Sequence, residues 1–215
     1  MAAVEGAPAP AERSPAPAMA LVADPAPLGL AGFGITTLVL SVFNADILST
    51  AGTPVVSGLA LAYGGLAQLL AGMWEFKNNN TFGATAFSSY GAFWISYWAL
   101  VHFDAGNIQG DAGNAVGLYL VAWGIFTLYM WVASLRTSVA VSTIFFLLWI
   151  TFFLLGIGDW SGHENVSKVG GYVGLATAAA ALYTSFALVT NSTFKSTVLP
   201  VGPLTRPLGK RGFVR

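Results

Sequence analysis

Six apolar segments, each close to the length of a membrane-crossing helix, constrain the fold of this chain more than any other feature. They cover residues 28–47, 55–74, 84–101, 116–135, 139–157 and 169–189. A helix crosses the hydrocarbon core of a bilayer with about 20 consecutive apolar residues. Polar or glycine-rich stretches interrupt the pattern between segments, such as AGTP at 51, KNNN at 77 and GDWSGHENVSK at 158. The sequence therefore predicts an all-α membrane protein with six transmembrane helices.

The composition agrees with a lipid environment and narrows the classes of function. Hydrophobic residues make up 55% of the chain and charged residues 8%, and the mean hydropathy is +0.69. So few charges do not solvate the surface of a soluble protein of this length. The chain has no cysteine and a formal net charge of zero. These values exclude disulfides and thiolate metal sites and give no general attraction for nucleic acid.

The segments contain no pattern that indicates an enzyme. No Lys, Arg or His lies at a predicted mid-membrane position, and the acids Asp46 and Glu75 fall at helix ends. No buried proton relay is therefore predicted. His102 and His163 stand without a clustered acid, which is more typical of surface residues than of metal ligands. We predict a protein that is not an enzyme and that holds neither a cofactor nor a metal.

The basic residues predict the orientation and the division of the chain. Eight of the nine fall on one predicted side of the membrane: Arg13, Lys77, Arg136, Lys195, Arg206, Lys210, Arg211 and Arg215. The positive-inside rule then places both termini in the cytoplasm. We predict a disordered, Ala- and Pro-rich N-terminal tail at 1–23, a transmembrane domain at 24–194 and a basic cytoplasmic tail at 195–215.

Small residues recur at helix-packing intervals in two of the segments. The last segment carries Gly170, Gly174 and Ala178, and the second carries Gly58, Gly64, Gly65 and Gly72. Such rows let helix backbones approach closely in lipid. Two uses stay open at this point, which are packing within the chain and contact between subunits.

Neutral polar side chains within the segments predict a path for a solute. Gln68 falls at mid-membrane, and a polar side chain there must find partners inside the protein. The alternative for each hydroxyl is a bond to its own helix carbonyls, and an aromatic stripe that includes Tyr90 and Trp94 is typical of core or lipid-facing packing. The residues we assign to the path are Gln68, Thr85, Ser88, Thr36, Asn44 and Trp94.

The stretch ADPAPLGLAGFG at 23–34 predicts a rigid helix start. Proline is tolerated in the first helical turn, and Asp24 can accept bonds from the unpaired amides there. The exposed N–H groups and positive dipole end of such a helix favour an anion.

Four motifs in order resemble those of a known family. They are DPAPLGLAGFGITT at 24–37, YGGLAQLLAGMWEFKNNNTFGATAFSSYGAFW at 63–94, GLYLVAWGIFTLYM at 117–130 and TVLPVG at 197–202. Together they resemble the acetate uptake transporter family, the succinate/acetate permeases that carry an NPAPLGL signature. The signature residues Pro25, Pro27, Gly29 and Gly32 are intact, whereas Asp24 replaces the family's asparagine. Both residues cap a helix, but the added carboxylate is expected to affect the entry of an anion and the selectivity of the path among anions.

The resemblance implies an architecture and a narrow point in the path. It implies a six-helix protomer in a ring of six, in which each protomer carries its own pathway for small monocarboxylates and, in some members, succinate. The residues that match an apolar mid-membrane constriction are Phe33, Tyr90 and Leu148. A constriction of this kind can hold back water and hydrated ions while a small, partly apolar acid passes.

Two functions from different classes follow. The first is transport of acetate and related short carboxylates, with succinate among them, across the plasma membrane, either as an anion channel or with a proton. The alternative is a membrane receptor or scaffold that binds a metabolite without moving it.

Overall fold

A computed structural model describes residues 22–108 and 110–204 of the chain. The predicted N-terminal tail up to residue 21 and the last residues, 205–215, lie outside the described residues. So do the five basic residues Arg13, Arg206, Lys210, Arg211 and Arg215.

The described residues form helices and no β-strand. In chain order the α-helices are α1 (Ala26–Asn44), α2 (Val56–Leu61), α3 (Gln68–Lys77), α4 (Thr81–Ala99), α5 (Ala112–Ser134), α6 (Val139–Ser161) and α7 (Glu164–Phe194). A 3-10 helix at Thr50–Val55 leads into α2, and a π-helical segment at Ala62–Ala67 joins α2 to α3. The predicted all-α class is thus confirmed for the part of the chain that the structure describes.

Within residues 22–108 and 110–204, five helical stretches are long and apolar enough to cross a membrane. They are α1, the continuous stretch Thr50–Lys77, α5, α6 and α7. The helix α4 has 19 residues but falls outside this group, because its serines, threonines, tyrosines and tryptophans lower its hydropathy. The protein is therefore a multi-pass membrane protein, with α4 the one predicted span that is not apolar by this measure.

Local signals in the sequence explain where helices begin and end. Asp24 Oδ1 accepts a hydrogen bond from the Ala26 amide at 2.9 Å, with Pro25 at the N-cap position between them. Asn80 Oδ1 accepts from the Gly83 amide at 3.1 Å and so caps α4. These bonds satisfy amides that have no partner within the helix.

Aromatic side chains fill the centre, and apolar side chains cover the outside. The buried cluster joins α1, α4 and α6 through Phe33, Tyr90, Phe93, Trp94, Phe145 and Phe152. Large apolar residues are exposed on the surface, for example Leu66, Leu70, Ile125, Val132 and Phe186. A protein in a bilayer has an apolar surface around a packed centre, because the exposure of apolar side chains to lipid costs no free energy.

The small-residue row of α7 packs within the chain. A Cβ on Gly170 would lie 3.0 Å from the Leu155 side chain of α6. A Cβ on Gly174 would contact the side chains of Ser41 and Thr151, and Ala178 is fully buried. Intramolecular packing, one of the two uses left open by the sequence, is therefore confirmed for this row.

Glycines also bring the π-helical segment against α1 and α4. A Cβ on Gly32 would lie 2.5 Å from the carbonyl oxygen of Tyr63. A Cβ on Gly64 would lie 2.7 Å from Thr36 Oγ1 and 2.9 Å from the Trp94 ring. Backbone therefore touches backbone and core side chains here, and only glycine leaves room for it.

The residues after α7 return to the start of α6. Asn191 Oδ1 accepts from the amides of Val198 and Leu199, at 2.7 and 2.9 Å. The Val139 amide donates to the Gly202 carbonyl at 2.7 Å, and Ala140 donates to Val201 at 3.1 Å. The segment after α7 thus supplies acceptors to the first amides of α6.

Candidate functional site

A cavity of about 240 Å³ lies among α1, α4, α5, α6 and α7. Phe33 and Leu148 line one end, while Asn44 and Asp159 lie eleven residues further along α1 and α6. At 1.5 Å per residue, the lining of each helix extends over about 16 Å. The cavity therefore runs from an apolar end in the middle of the protein to a polar mouth at the C-terminal ends of α1 and α6.

A second cavity of about 20 Å³ lies beyond the apolar end and contacts Gln68. Its volume is about that of one water molecule. Phe33 and Leu148 line both cavities and so stand between them. Tyr90 lines the smaller cavity, and its ring centroid is 5.7 Å from that of Phe33. The structure thus brings the three residues of the predicted constriction to one point, where each is buried.

A hydrogen bond that the sequence analysis missed holds Tyr90 in place. The Tyr90 and Thr127 hydroxyl oxygens are 2.9 Å apart, and the Thr127 hydroxyl donates to the Trp123 carbonyl at 2.7 Å. Because the Thr127 proton is already used, Tyr90 is the donor between the two hydroxyls. Thr127 is fully buried. A lone threonine in an apolar helix gives no signal of this role, since most such hydroxyls only bond to their own helix.

Three of the residues assigned to the path line the cavities. Gln68 is 1% exposed, and its Oε1 has no hydrogen-bond partner among the described residues. Asn44 and Trp94 line the larger cavity, and the buried Trp94 Nε1 also lacks a partner there. Thr37 adds a second unpartnered polar atom on the same wall, its Oγ1. Unpaired buried polar groups are costly, so these atoms are suited to a solute or water.

The other three residues assigned to the path lie elsewhere. The Thr36 hydroxyl donates to the Gly32 carbonyl at 2.8 Å, which is the bond to its own helix. Ser88 packs against Gly72 of α3, and Thr85 lines neither cavity. The cavity face of α4 carries Phe87, Tyr90, Phe93, Trp94 and Tyr97. Those residues recur at intervals of three and four, and Thr85 and Ser88 fall off that face.

Glu75 differs from its predicted environment. It lies in the last turn of α3, as the sequence indicates, yet it is 2% exposed. Asn80 Nδ2 donates to Glu75 Oε2 at 2.9 Å, and Oε1 has no partner among the described residues. A helix-end position alone does not predict this burial, because the turn that follows folds Asn80 and α4 over the carboxyl group.

The signature residues build the start of α1 and its contacts. A Cβ on Gly29 would lie 2.6 Å from the Phe87 ring, and the Pro27 carbonyl accepts from the Ser185 hydroxyl at 2.7 Å. Asp24 caps the Ala26 amide, which is one of the N–H groups at the helix start that the sequence predicts to favour an anion. The signature therefore acts in packing and capping at this end of the molecule.

A multi-pass helical protein with an internal cavity, polar at its mouth and apolar at its inner end, has the architecture of a membrane channel or transporter. Comparison with known families identifies the group. The chain belongs to the GPR1/FUN34/yaaH family, whose model matches residues 6–206.

Two relatives and one solved structure define this similarity. The chain is 40% identical over 183 residues to the succinate-acetate/proton symporter SatP of Escherichia coli (strain K12), covering 84% of this chain and 96% of SatP. It is 40% identical over 197 residues to the ammonia transport outward protein 2 of Saccharomyces cerevisiae, covering 89% and 69%. A structure of the bacterial acetate channel SatP superposes with a TM-score of 0.78 at 39% identity, covering 85% of this chain and 100% of that one.

Proposed function

We propose that this protein transports acetate and related short carboxylates, including succinate, across the plasma membrane. The observation that carries the proposal is the similarity to the acetate channel SatP in fold and sequence over 85% of the chain. The larger cavity supports this proposal, because its volume of about 240 Å³ suits a small solute. Sites for drug-sized ligands are larger, at roughly 300 to 1,000 Å³. A transport role also makes catalysis by this chain unnecessary.

The proposed path runs through a single protomer. A solute enters the polar mouth near Asn44, passes Thr37 and Trp94, and meets the constriction of Phe33, Tyr90 and Leu148. Beyond it the solute reaches Gln68. The apolar constriction excludes water and hydrated ions by dewetting, while the neutral polar groups on either side offer hydrogen bonds to a carboxyl group.

The proposed architecture has six crossing helices, with α4 among them. This helix lines both cavities and packs against the stretch Thr50–Lys77, so Tyr90 and Trp94 on its cavity face are buried. We further propose cytoplasmic termini, a ring of six protomers, and the division at 1–23, 24–194 and 195–215. The asymmetry of the basic residues supports the orientation.

Uptake by reconstituted protein tests the proposal against a receptor or scaffold. Purified protein, with its number of chains measured by native mass spectrometry, is placed in liposomes and given labelled acetate, succinate or methylammonium. A transporter accumulates acetate inside above the protein-free background, whereas a receptor gives saturable binding and no internal label. Accumulation of methylammonium but not acetate would instead favour the function named for the yeast relative. Collapse of an imposed pH gradient in proportion to uptake separates proton symport from an anion channel.

Replacing Gln68 with alanine is expected to lower acetate uptake while leaving folding and assembly intact. Its amide is the polar group on the inner side of the constriction, and its removal leaves the small cavity lined by apolar side chains and the Tyr90 ring. Initial uptake rates and gel filtration measure the two effects. Thr85→Ala is the matched comparison, because Thr85 lines neither cavity. Equal rates for Gln68→Ala and the unmodified protein would assign Gln68 to packing.

A further inference from the structure

Among the described residues, the lining of the larger cavity carries one negative charge and no positive one. Of the described residues that line it, Asp159 alone bears a formal charge. It stands near the C-terminal end of α6, half-buried at the mouth, and no salt bridge to it is present in residues 22–108 and 110–204. A cavity that binds a free carboxylate anion is expected to offer a cation or several free donors. The mouth of this cavity instead carries a carboxylate, which repels an anion.

Two of the hydroxyl groups on the wall already donate their proton within the protein. The Thr151 hydroxyl donates to the Leu147 carbonyl at 2.9 Å, and the Tyr119 hydroxyl donates to the Phe93 carbonyl at 3.2 Å. A hydroxyl group whose proton is already donated presents only its lone pairs to a ligand. Deeper in the cavity, Thr37 Oγ1 and Trp94 Nε1 have no partner among residues 22–108 and 110–204 and can donate to a ligand. A ligand that both donates and accepts fits this wall better than one that only accepts.

The ionisable groups around Asp159 do not supply the missing cation. Lys168 of α7 is paired with Asp46, with Nζ and Oδ2 at 2.7 Å. The remaining ionisable side chains described on the elements at this end are phenols, two acids and two histidines: Tyr97, Tyr119, Tyr172, Asp111, Glu164, His102 and His163. None of these acids or histidines lines the cavity. The carboxylate of Asp159 therefore dominates the field at the mouth.

We propose that Asp159 makes the cavity select the undissociated carboxylic acid over its anion. The inference rests on the proposed function and specifies the form of the substrate. The O–H of an undissociated acid donates to the Asp159 carboxylate, which gives a strong charge-assisted bond. The anion has no proton to donate and is repelled by the same group. The acid then moves inward with its proton, and its carbonyl oxygen accepts from Thr37 and Trp94.

Reconstituted protein with asparagine at this position tests the selection. Initial uptake of labelled acetate is measured at fixed total acetate from pH 5 to 7.5, with and without a potassium diffusion potential, after subtraction of protein-free liposomes. A carboxyl such as glutamate ionises near pH 4.3, so the undissociated fraction of a short acid falls about tenfold per pH unit in this range. We expect uptake by the unmodified protein to follow this fraction and to ignore the potential. Asp159→Asn is expected to raise uptake severalfold at pH 7.5 and to make it potential-dependent.

Two further variants complete the design. Asp111→Asn is the matched control, because Asp111 caps α5 close to the Asp159 backbone without lining the cavity, and asparagine keeps the cap. We expect it to behave as the unmodified protein. Asp159→Glu retains the charge and is expected to retain the pH profile. The Asp159→Glu variant keeps the test decisive if Asp159→Asn is too unstable to assay, because potential-driven uptake by Asp159→Glu would contradict the proposal.

Other results would overturn the inference in distinguishable ways. Potential-driven acetate uptake by the unmodified protein at pH 7.5, or an unchanged pH profile in Asp159→Asn, would show that Asp159 does not exclude the anion. Loss of methylammonium uptake in Asp159→Asn with acetate uptake unchanged would assign the carboxylate to a cation. Absence of acetate uptake in every variant at every pH would instead contradict the proposed function itself.

Discussion

Replacing Tyr90 with alanine is expected to raise the uptake of succinate relative to acetate by about tenfold. The side chain is 3% exposed at the point between the two cavities, where it meets Phe33 and Leu148. Its removal widens that point, and even one methylene of space changes discrimination by roughly tenfold or more. Phe33→Ala and Leu148→Ala are expected to change the same ratio in the same direction. Uptake of labelled succinate and acetate by proteoliposomes measures it.

Loss of stability must be separated from this gain in permeability. Truncating a packed aromatic residue costs about 3 to 5 kcal/mol in soluble cores, so all of these variants are expected to melt earlier. Phe43→Ala provides the matched control, because Phe43 is buried but lines neither cavity. It should melt early with an unchanged uptake ratio. Tyr90→Phe keeps the ring, loses the bond to Thr127 and should keep the acetate preference. Early melting of all three truncations without any shift in ratio would rule out a constriction here.

Replacing Gly32 with alanine is expected to destabilise the protein by about 1 to 3 kcal/mol, the usual cost of overpacking. The added Cβ would lie 2.5 Å from the Tyr63 carbonyl oxygen, and this atom belongs to backbone that no rotamer change can move. The contact forces α1 away from the π-helical segment. For a chain of this length, each kcal/mol lowers Tm by about 2 to 4 °C. A thermal melt in detergent, followed by tryptophan fluorescence, measures the change.

Gly58→Ala is the matched control for this prediction. Gly58 lies in α2, and a Cβ there would meet nothing within 4 Å. Alanine is the better helix former by up to about 1 kcal/mol, so Tm is expected to stay constant or rise. Equal melting temperatures for the two alanine variants would mean that the approach of Gly32 to Tyr63 carries no packing role.

The sequence predicts the helices well because apolar length and helix-start residues are local properties. The segment at 28–47 corresponds to α1 (Ala26–Asn44), and Asp24 and Asn80 make the bonds that local capping rules predict. The helix geometry changes within the segment at 55–74, and no pattern in the sequence reveals this change. A π-helical insertion shifts the register before Gln68, and within it Gly64 and Gly65 lie in close contact with other helices.

The site was predicted less completely, because which face of a helix meets a cavity depends on its neighbours. Gln68, Asn44 and Trp94 line cavities, whereas Ser88 packs against α3 although it belongs to the same kind of polar stripe. Periodicity shows that polar residues share a face but not what that face touches. The convergence of Phe33, Tyr90 and Leu148 came from family resemblance, since an aromatic stripe alone indicates only packing.

The return of the C-terminal segment to the start of α6 sets an order on how the chain is completed during synthesis. The Val139 amide leaves the ribosome 63 residues ahead of the Gly202 carbonyl that binds it. The amides of Val139 and Ala140 therefore gain these acceptors only after the whole of α7 has been made. A premature stop or a fusion junction before residue 202 would leave these amides unpaired, so expression tags belong after Leu204.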